Sequence, residues 1–122
     1  MKPSIRRLNT DDEYYFKEGC FILELSNTPD DPAVSVARAR VRPGVSTRMH
    51  RLHGIAERYV ILEGTGRVEV AGQTARPVGP GDTVIIPPQC PQRITNTGTG
   101  DLVFLAVCTP RFVPDAYEDI GD

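Results

Sequence analysis

The sequence predicts an all-β fold, a sandwich or barrel of short strands. Glycine and proline contribute 11 residues each to a chain of 122, well above their usual combined share of about 12%. They interrupt helical periodicity almost everywhere, and short β-like runs recur between turn signals along the chain. The chain is also short enough for one domain. Strand propensity alone leaves an immunoglobulin-like sandwich and a jelly roll as alternatives.

Charge and hydropathy indicate which classes of partner to expect. Lys and Arg number 14 and Asp and Glu 16, for a net charge of -2. The sequence contains no block of five like charges, which argues against a nucleic-acid arm or a polybasic membrane anchor. It also lacks an apolar run long enough to span a bilayer and a recognisable signal peptide. We therefore expect a cytoplasmic protein with neither a nucleic-acid nor a membrane partner.

The three cysteines are predicted to be free thiols. Cys20, Cys90 and Cys108 are odd in number and widely spaced, and the chain has no C-x-x-C pair. That pattern disfavours a cysteine zinc site and is typical of a reducing compartment.

The domain is predicted to consist of an N-terminal arm over residues 1–19, a barrel over about 20–109 and a C-terminal tail over 110–122. The arm contains the longest stretch free of glycine and proline, Ser4 to Glu18, and forms either an extended segment or a short helical turn. Its aromatic run Tyr14–Phe16 needs cover, so we expect the arm to add to a sheet or to pack in a homodimer.

The first half of the barrel is predicted from runs that end at turn signals. A loop rich in Asn, Asp and Pro ends the first strand, and Arg42-Pro43-Gly44 has proline and glycine placed for a tight turn. A fourth run, rich in Tyr, Val and Ile, ends at Gly64. These strands are predicted over Cys20–Leu25, Ala33–Val41, Val45–Leu52 and Glu57–Leu62.

The strands of the second half of the barrel are also predicted from runs that end at turn signals. Ala71-Gly72 is a hairpin signal, Gly79-Pro80-Gly81-Asp82 is a turn, and Pro87-Pro88 stops the next run. The last strand is continuously apolar, as expected of a strand buried on both faces. Strands are predicted over Arg67–Val70, Thr74–Val78, Thr83–Ile86, Gln92–Asn96 and Leu102–Cys108, with one helical turn over Asp115–Ile120.

Two segments of the chain resemble the two sequence motifs of the cupin superfamily. The first motif, from Gly44 to Gly64, also includes His50 and Glu57, and the second includes Gly81, Pro87 and Asn96. The resemblance implies a double-stranded β-helix, that is, a jelly-roll barrel with a pocket at one mouth. It also implies a small metal-dependent enzyme, and homodimers are common in that family.

Three positions depart from those motifs. Leu52 lies where the family has a second metal-binding histidine, Gln92 lies where it has a third, and Gln89 replaces a glycine. The family's typical centre of three histidines and one glutamate is therefore incomplete here.

The remaining polar residues define a candidate metal site. Residues two apart share a face of a strand, and the resemblance implies that His50, Glu57 and Gln92 converge inside the barrel. They would supply a nitrogen, a carboxylate and an amide oxygen to Fe, Mn, Ni or Zn. His53 would complete the set only if the chain bends at Gly54, because a regular strand directs it to the opposite side. The alternatives are a metal-free His–carboxylate pair and a solvated His53.

Two further residues are candidates for catalysis. Tyr59 shares a face with Glu57 and could donate a proton or orient a substrate, or could simply pack in the core. Arg48 shares a face with His50 and could clamp a carboxylate or phosphate, or could pair with an acid at the barrel rim. Gln92 could instead hydrogen-bond a substrate.

Two functions are consistent with these residues, and a purely structural dimer, whose pocket would be filled by side chains, is a third alternative. The first is a metal-dependent enzyme acting on a small polar or anionic molecule, with dioxygenase, isomerase or decarboxylase chemistry implied by the resemblance. The second is a non-catalytic cupin that binds a small ligand, or an accessory subunit without metal.

Overall fold

Two antiparallel sheets face each other in the computed structural model, which describes residues 1–121. One sheet has six strands in the order β1-β2-β3-β10-β5-β8, and the other has five in the order β11-β4-β9-β6-β7. The first three strands lie in one sheet, and the chain then crosses repeatedly between the two sheets, as in a jelly roll, which confirms the predicted all-β barrel class. No helix within the described residues is long and apolar enough to cross a membrane.

The strands are short and their bounds follow the turn signals. They are β1 Tyr14–Phe16, β2 Cys20–Ser26, β3 Ser35–Val41, β4 His50–Leu52, β5 Ala56–Glu63, β6 Gly66–Val70, β7 Arg76–Val78, β8 Thr83–Ile86, β9 Gln92–Asn96, β10 Leu102–Thr109 and β11 Tyr117–Asp119. Two 3-10 turns, Thr10–Asp12 and Pro114–Ala116, precede β1 and β11.

Side chains alternate along the central strands, so every second one points into the interior. In β5, Glu57, Tyr59 and Ile61 are buried while their neighbours are more exposed. In β9, Gln92 and Ile94 are likewise buried. The main apolar cluster lies between the sheets, and a second cluster around Leu52, Ile55 and Tyr117 closes one end. The polar residues of interest lie between these clusters.

The predicted strand Val45–Leu52 is wrong over its first half, because the backbone there changes partner. Thr47 N donates to Ile94 O (2.9 Å), which keeps this point beside β9. Arg48 N donates instead to Glu18 O (2.7 Å). Regular pairing begins only at His50, so the segment bends across the mouth of the barrel and meets the turn that carries Glu18.

The predicted helical turn Asp115–Ile120 is wrong beyond Ala116. Tyr117–Asp119 pairs with β4, with Tyr117 opposite Leu52 and Asp119 opposite His50. The edge of β4 supplies backbone partners that outweigh local helix propensity. The C-terminal segment thereby places an aromatic ring beside His50.

Two residues of the matched motifs have structural roles. Gly64 has φ +84°, and a Cβ there would lie 2.6 Å from Asp101 O, so only glycine fits. Asn96 donates to Val41 O and Gly100 O (2.8 Å each), and its own side-chain oxygen accepts from Gly98 N. These contacts hold the end of the barrel opposite Glu57.

Candidate functional site

His50 is held as a neutral imidazole with one nitrogen directed at a carboxyl group. Its side chain is 2% exposed, and Nδ1 lies 2.7 Å from Arg48 O. A carbonyl only accepts, so Nδ1 carries the proton and Nε2 holds the lone pair. Burial lowers the pKa of His50, opposed by the Arg48 carbonyl and by the charge of Glu57. Nε2 lies 3.8 Å from Glu18 Oε2, beyond hydrogen-bond distance.

Glu57, Gln92 and Tyr59 form a buried hydrogen-bond chain across the two sheets. Gln92 Nε2 donates to Glu57 Oε1 at 2.9 Å, and the Tyr59 hydroxyl donates to Gln92 Oε1. The Cys108 thiol lies 3.7 Å from Glu57 Oε2. Both carboxylate oxygens of Glu57 therefore have protein partners, and the amide of Gln92 is oriented by its two neighbours.

The ionisation of Glu57 is poised near neutrality. Its pKa is raised from 4.5 to about 7, chiefly by burial and also by the charge of Glu18. Gln92, His50 and Cys108 act in the opposite direction, because each stabilises the carboxylate. A carboxyl group with such a pKa can take up or release a proton at ordinary cellular pH.

Glu18 is a site residue that sequence reasoning missed. It lies in the turn between β1 and β2, and its side chain is 14% exposed. Its pKa is raised from 4.5 to about 7, chiefly by burial, and the Cys20 thiol acts in the opposite direction. An acidic residue in a turn usually faces solvent, and nothing in the local sequence distinguishes this one. Only the bend at Arg48 brings the turn against the site.

Glu18 and Glu57 share a cavity of about 50 Å³, which we call the carboxyl cavity. It has space for roughly three or four water molecules. The other ionisable groups of its lining are Tyr14, Glu24 and Cys108, and the remaining lining residues are aromatic, aliphatic or small. Within the described part of the chain, neither lysine nor arginine lines it. The described lining includes Phe16, Phe112, Ser35, Ala37 and Ala106.

Two predicted site residues are exposed at the surface rather than buried near Glu57. Arg48 is exposed and pairs with Asp119, with Nε to Oδ2 at 2.6 Å, which matches the rim alternative. His53 is also exposed, with Nε2 2.8 Å from Glu118 Oε1 and Nδ1 2.6 Å from Gln89 Nε2. Both ring nitrogens of His53 are therefore engaged at the surface, and the structure does not bring His53 together with His50 and Glu57.

The predicted metal set does not fit a divalent cation as these side chains stand. Among residues 1–121, no three His, Cys, Asp or Glu side chains are arranged to hold a metal ion. The amide oxygen of Gln92 accepts from Tyr59, and both oxygens of Glu57 are hydrogen-bonded. Leu52, in place of a second histidine, packs in the apolar cluster that closes the barrel.

Comparison with known proteins places the barrel in a family. A family model named Cupin_2 and described as Cupin domain matches residues 37–108, which include His50, Glu57 and Gln92 but not Glu18. The uncharacterized protein MJ1618 of Methanocaldococcus jannaschii is 35% identical over 108 residues, which is 87% of this chain and 83% of that protein.

Solved structures show the same architecture. A predicted oxalate decarboxylase from Thermotoga maritima is 31% identical, with a TM-score of 0.69, and the match covers 75% of this chain and 80% of that chain. The nucleoside dehydratase Pac13 from Streptomyces has a TM-score of 0.78 and covers 97% of this chain and 92% of its own. Pac13 is only 16% identical, so its likeness concerns the fold alone.

Proposed function

This chain belongs to the cupin domain family, and we propose that it is an enzyme that transfers protons on a small polar molecule bound in the carboxyl cavity. The observation that carries the proposal is the presence of two mostly buried carboxyl groups, Glu18 and Glu57, on one cavity. Two nearby carboxyls resist ionising together, so the pair retains a proton near neutral pH.

The surroundings of the two carboxyls assign their roles. Glu57 receives hydrogen bonds from Gln92 and Cys108 and lies in the field of His50, all of which favour its charged form. Glu18 has only the Cys20 thiol to stabilise its charge. Since both pKa values are raised to about 7, we assign the roles from orientation: Glu57, held in place by Gln92 and Cys108, is the general base, and Glu18 is the general acid.

His50, Gln92 and Tyr59 act as positioning residues, since none of them lines the carboxyl cavity. Gln92 orients Glu57, and Tyr59 fixes which face of the Gln92 amide points toward that carboxylate. His50 presents a lone pair toward Glu18. The role first considered for Tyr59, direct contact with substrate, thereby becomes an indirect one.

The cavity favours a neutral polar molecule over an anion. An anionic substrate would bring like charge beside Glu57 without any lysine or arginine in the lining to offset it. The predicted anion clamp, Arg48, is paired with Asp119. The reaction class that these groups support is removal of a proton from one atom and delivery of a proton to another, as in isomerisation or elimination.

Two other functions are alternatives to this proposal. Cupins commonly bind divalent metals, and a metal-dependent enzyme would need Glu57, Gln92 or His53 to abandon the hydrogen bonds described above, whereas His50 already presents the lone pair of Nε2. A non-catalytic cupin would use the same cavity to bind a ligand without turnover.

Hydrogen–deuterium exchange distinguishes these three functions without a known substrate. A panel of small neutral carbonyl and hydroxy compounds is incubated with the protein in D₂O, with and without EDTA, and carbon-bound deuterium is followed by NMR. We expect incorporation into at least one compound, unaffected by EDTA and reduced at least 100-fold in Glu57→Gln. Glu69→Gln, which removes a carboxylate outside the cavity, is the matched control and should exchange normally.

The contrary outcomes are specific. Exchange that stops with EDTA and returns with Fe, Mn, Ni or Zn would support the metal-dependent enzyme. Binding of panel compounds without any exchange would support the non-catalytic cupin. Exchange that survives in Glu57→Gln would overturn the assigned base.

A further inference from the structure

A third carboxyl group, that of Glu24, lines the carboxyl cavity together with Glu18 and Glu57. Glu24 Oε1 accepts a hydrogen bond from the hydroxyl of Tyr14 (3.3 Å), and Tyr14 lines the same cavity. Glu24 and Tyr14 are exposed, whereas Glu57 is buried. Carboxyl groups therefore line the cavity both on its solvent-facing side and in its interior, and the proton transfer proposed above uses only two of the three.

The cavity wall supplies no positive charge to balance these groups. Within the described residues, no lysine, arginine or histidine lines it. Burial is the largest influence on the pKa of each of the three carboxyls and raises it. Arg111 acts on Glu24 from outside the lining, with a smaller effect than burial. A carboxylate in this cavity is therefore balanced by a proton or by a positive charge that the ligand brings.

Aromatic rings form a second feature of the same wall. Phe16 and Phe112 line the cavity with their rings nearly perpendicular, at 86° and with centroids 6.3 Å apart. Tyr14 is the third aromatic residue of the lining. The face of an aromatic ring carries partial negative charge, and proteins use such rings to bind organic ammonium groups. A divalent metal ion instead needs several ligands at once, and residues 1–121 contain no three acidic, cysteine or histidine side chains placed to hold one.

The small residues of the wall limit the size of the ligand. Ser35, Ala37 and Ala106 line the cavity, and its volume is about 50 Å³. That is space for roughly three or four water molecules. A primary ammonium group on a short carbon chain fits this volume, whereas a large quaternary ammonium group does not.

We infer that the carboxyl cavity binds a small organic molecule through a positively charged ammonium group. The carboxylates attract the charge, and the rings of Phe16 and Phe112 attract both the charge and the carbon atoms beside it. A neutral molecule of the same size lacks the attraction between opposite charges. The rest of the molecule stays neutral, which is compatible with the proton transfer proposed above. The inference rests on the proposed function only in using the same cavity, and it narrows the ligand from a polar molecule to an amine.

The test compares probes of nearly equal size and different charge. Ethylammonium chloride, ethanol and potassium chloride are each titrated into the full chain at pH 8 and followed by NMR, with the methyl groups of Ala37 and Ala106 reporting on the cavity. We expect ethylammonium to bind at least 10-fold more tightly than ethanol, and potassium chloride to leave these methyl resonances unchanged. Equal affinity for ethylammonium and ethanol, or equal shifts with potassium chloride, would overturn the inference.

Two variants separate the charge from the ring. Glu24→Gln should weaken ethylammonium binding at least fivefold and leave ethanol binding unchanged. Phe112→Leu keeps an apolar side chain but removes the ring, and it should weaken ethylammonium binding at least threefold. Glu69→Gln, which removes a carboxylate outside the cavity, is the matched control and should bind ethylammonium normally. Unchanged ethylammonium affinity in Glu24→Gln would overturn the inference, and this exposed position decides the outcome even if Phe112→Leu fails to fold.

Failure of the proposed function is recognised separately. Selective binding of ethylammonium without deuterium exchange in any panel compound would uphold the ammonium site and reject the enzyme. Exchange in a panel compound without any preference for ethylammonium over ethanol would do the reverse.

Discussion

At one end of the barrel interior, β5 and β9 contribute Ile61 and Ile94 to the main apolar cluster; at the other end, the same strands contribute Glu57 and Gln92. All four side chains are buried by the same alternation. The apolar end gains free energy from burial, while the polar end loses some of it by keeping a carboxyl out of water. Burial at the apolar end therefore offsets the free energy that is lost by burying the carboxyl group at the polar end.

The largest expected change in the free energy of unfolding is at the apolar end. Ile61 is 1% exposed, so Ile61→Ala should lower the free energy of unfolding by about 2–5 kcal/mol through lost burial and a residual cavity. Urea denaturation measures this change, which should be equal at pH 5 and pH 8. Ile85→Ala is the control, because Ile85 is 70% exposed on β8 and its loss should cost less than about 0.5 kcal/mol. Equal losses in the two variants would refute the contrast between the ends.

At the polar end, replacing the buried carboxyl group is expected to raise the free energy of unfolding rather than lower it. The pKa of Glu57 is raised from 4.5 to about 7 in the folded state, so the folded chain holds this proton more tightly than the unfolded chain. The resulting penalty is absent below pH 4.5, grows as pH rises toward 7 and is complete above it. Glu57→Gln removes that penalty and should stabilise the protein at pH 8 by up to roughly 3 kcal/mol, with little change at pH 4.

Thermal unfolding of the two proteins across pH 4 to 8 measures the difference. Glu69→Gln provides a control of opposite sign, since the hydrogen bond from Arg93 lowers the pKa of Glu69. Its stabilising contribution is present above the unfolded pKa and is lost as pH falls through the folded one. If Glu57→Gln is less stable than the parent protein at pH 8, then the buried Glu57 carboxylate does not carry the free-energy penalty proposed for it.

A smaller effect is expected at the rim. Arg48 forms an exposed ion pair with Asp119, so Arg48→Ala should cost less than about 1 kcal/mol and should leave deuterium exchange within about twofold. The measurements are chemical denaturation and the exchange assay described above. A loss of exchange beyond tenfold, with folding intact, would restore Arg48 to the catalytic role first considered for it.

The smallest effect is expected from chelation. Because the residues around Glu57 are committed to hydrogen bonds with each other, EDTA should leave the melting temperature unchanged. Elemental analysis of untagged protein should find less than 0.1 equivalent of transition metal. If EDTA lowers the melting temperature by several degrees and one metal restores it, a bound metal contributes to the stability of the barrel, and this prediction is wrong.

The fold and about half of the site could be predicted from the amino-acid sequence. Period-two alternation placed Glu57 with Tyr59, and Gln92 with Ile94, on buried faces, because each strand alternates its side chains whatever its partner is. The motif spacing then related His50, Glu57 and Gln92 to one another, and their convergence on the interior agrees with it. These are properties of local geometry and of a family pattern, both of which can be read along one chain.

Glu18, Tyr117 and the outward placement of His53 depended on contacts between distant segments. Glu18 reaches the site because Arg48 N bonds to its carbonyl, and Tyr117 because β11 pairs with β4 rather than continuing a helical turn. His53 is held at the surface by Glu118 and Gln89. In each case several backbone or side-chain partners are possible, and the folded structure determines which of them lies nearest. The local sequence does not specify that partner.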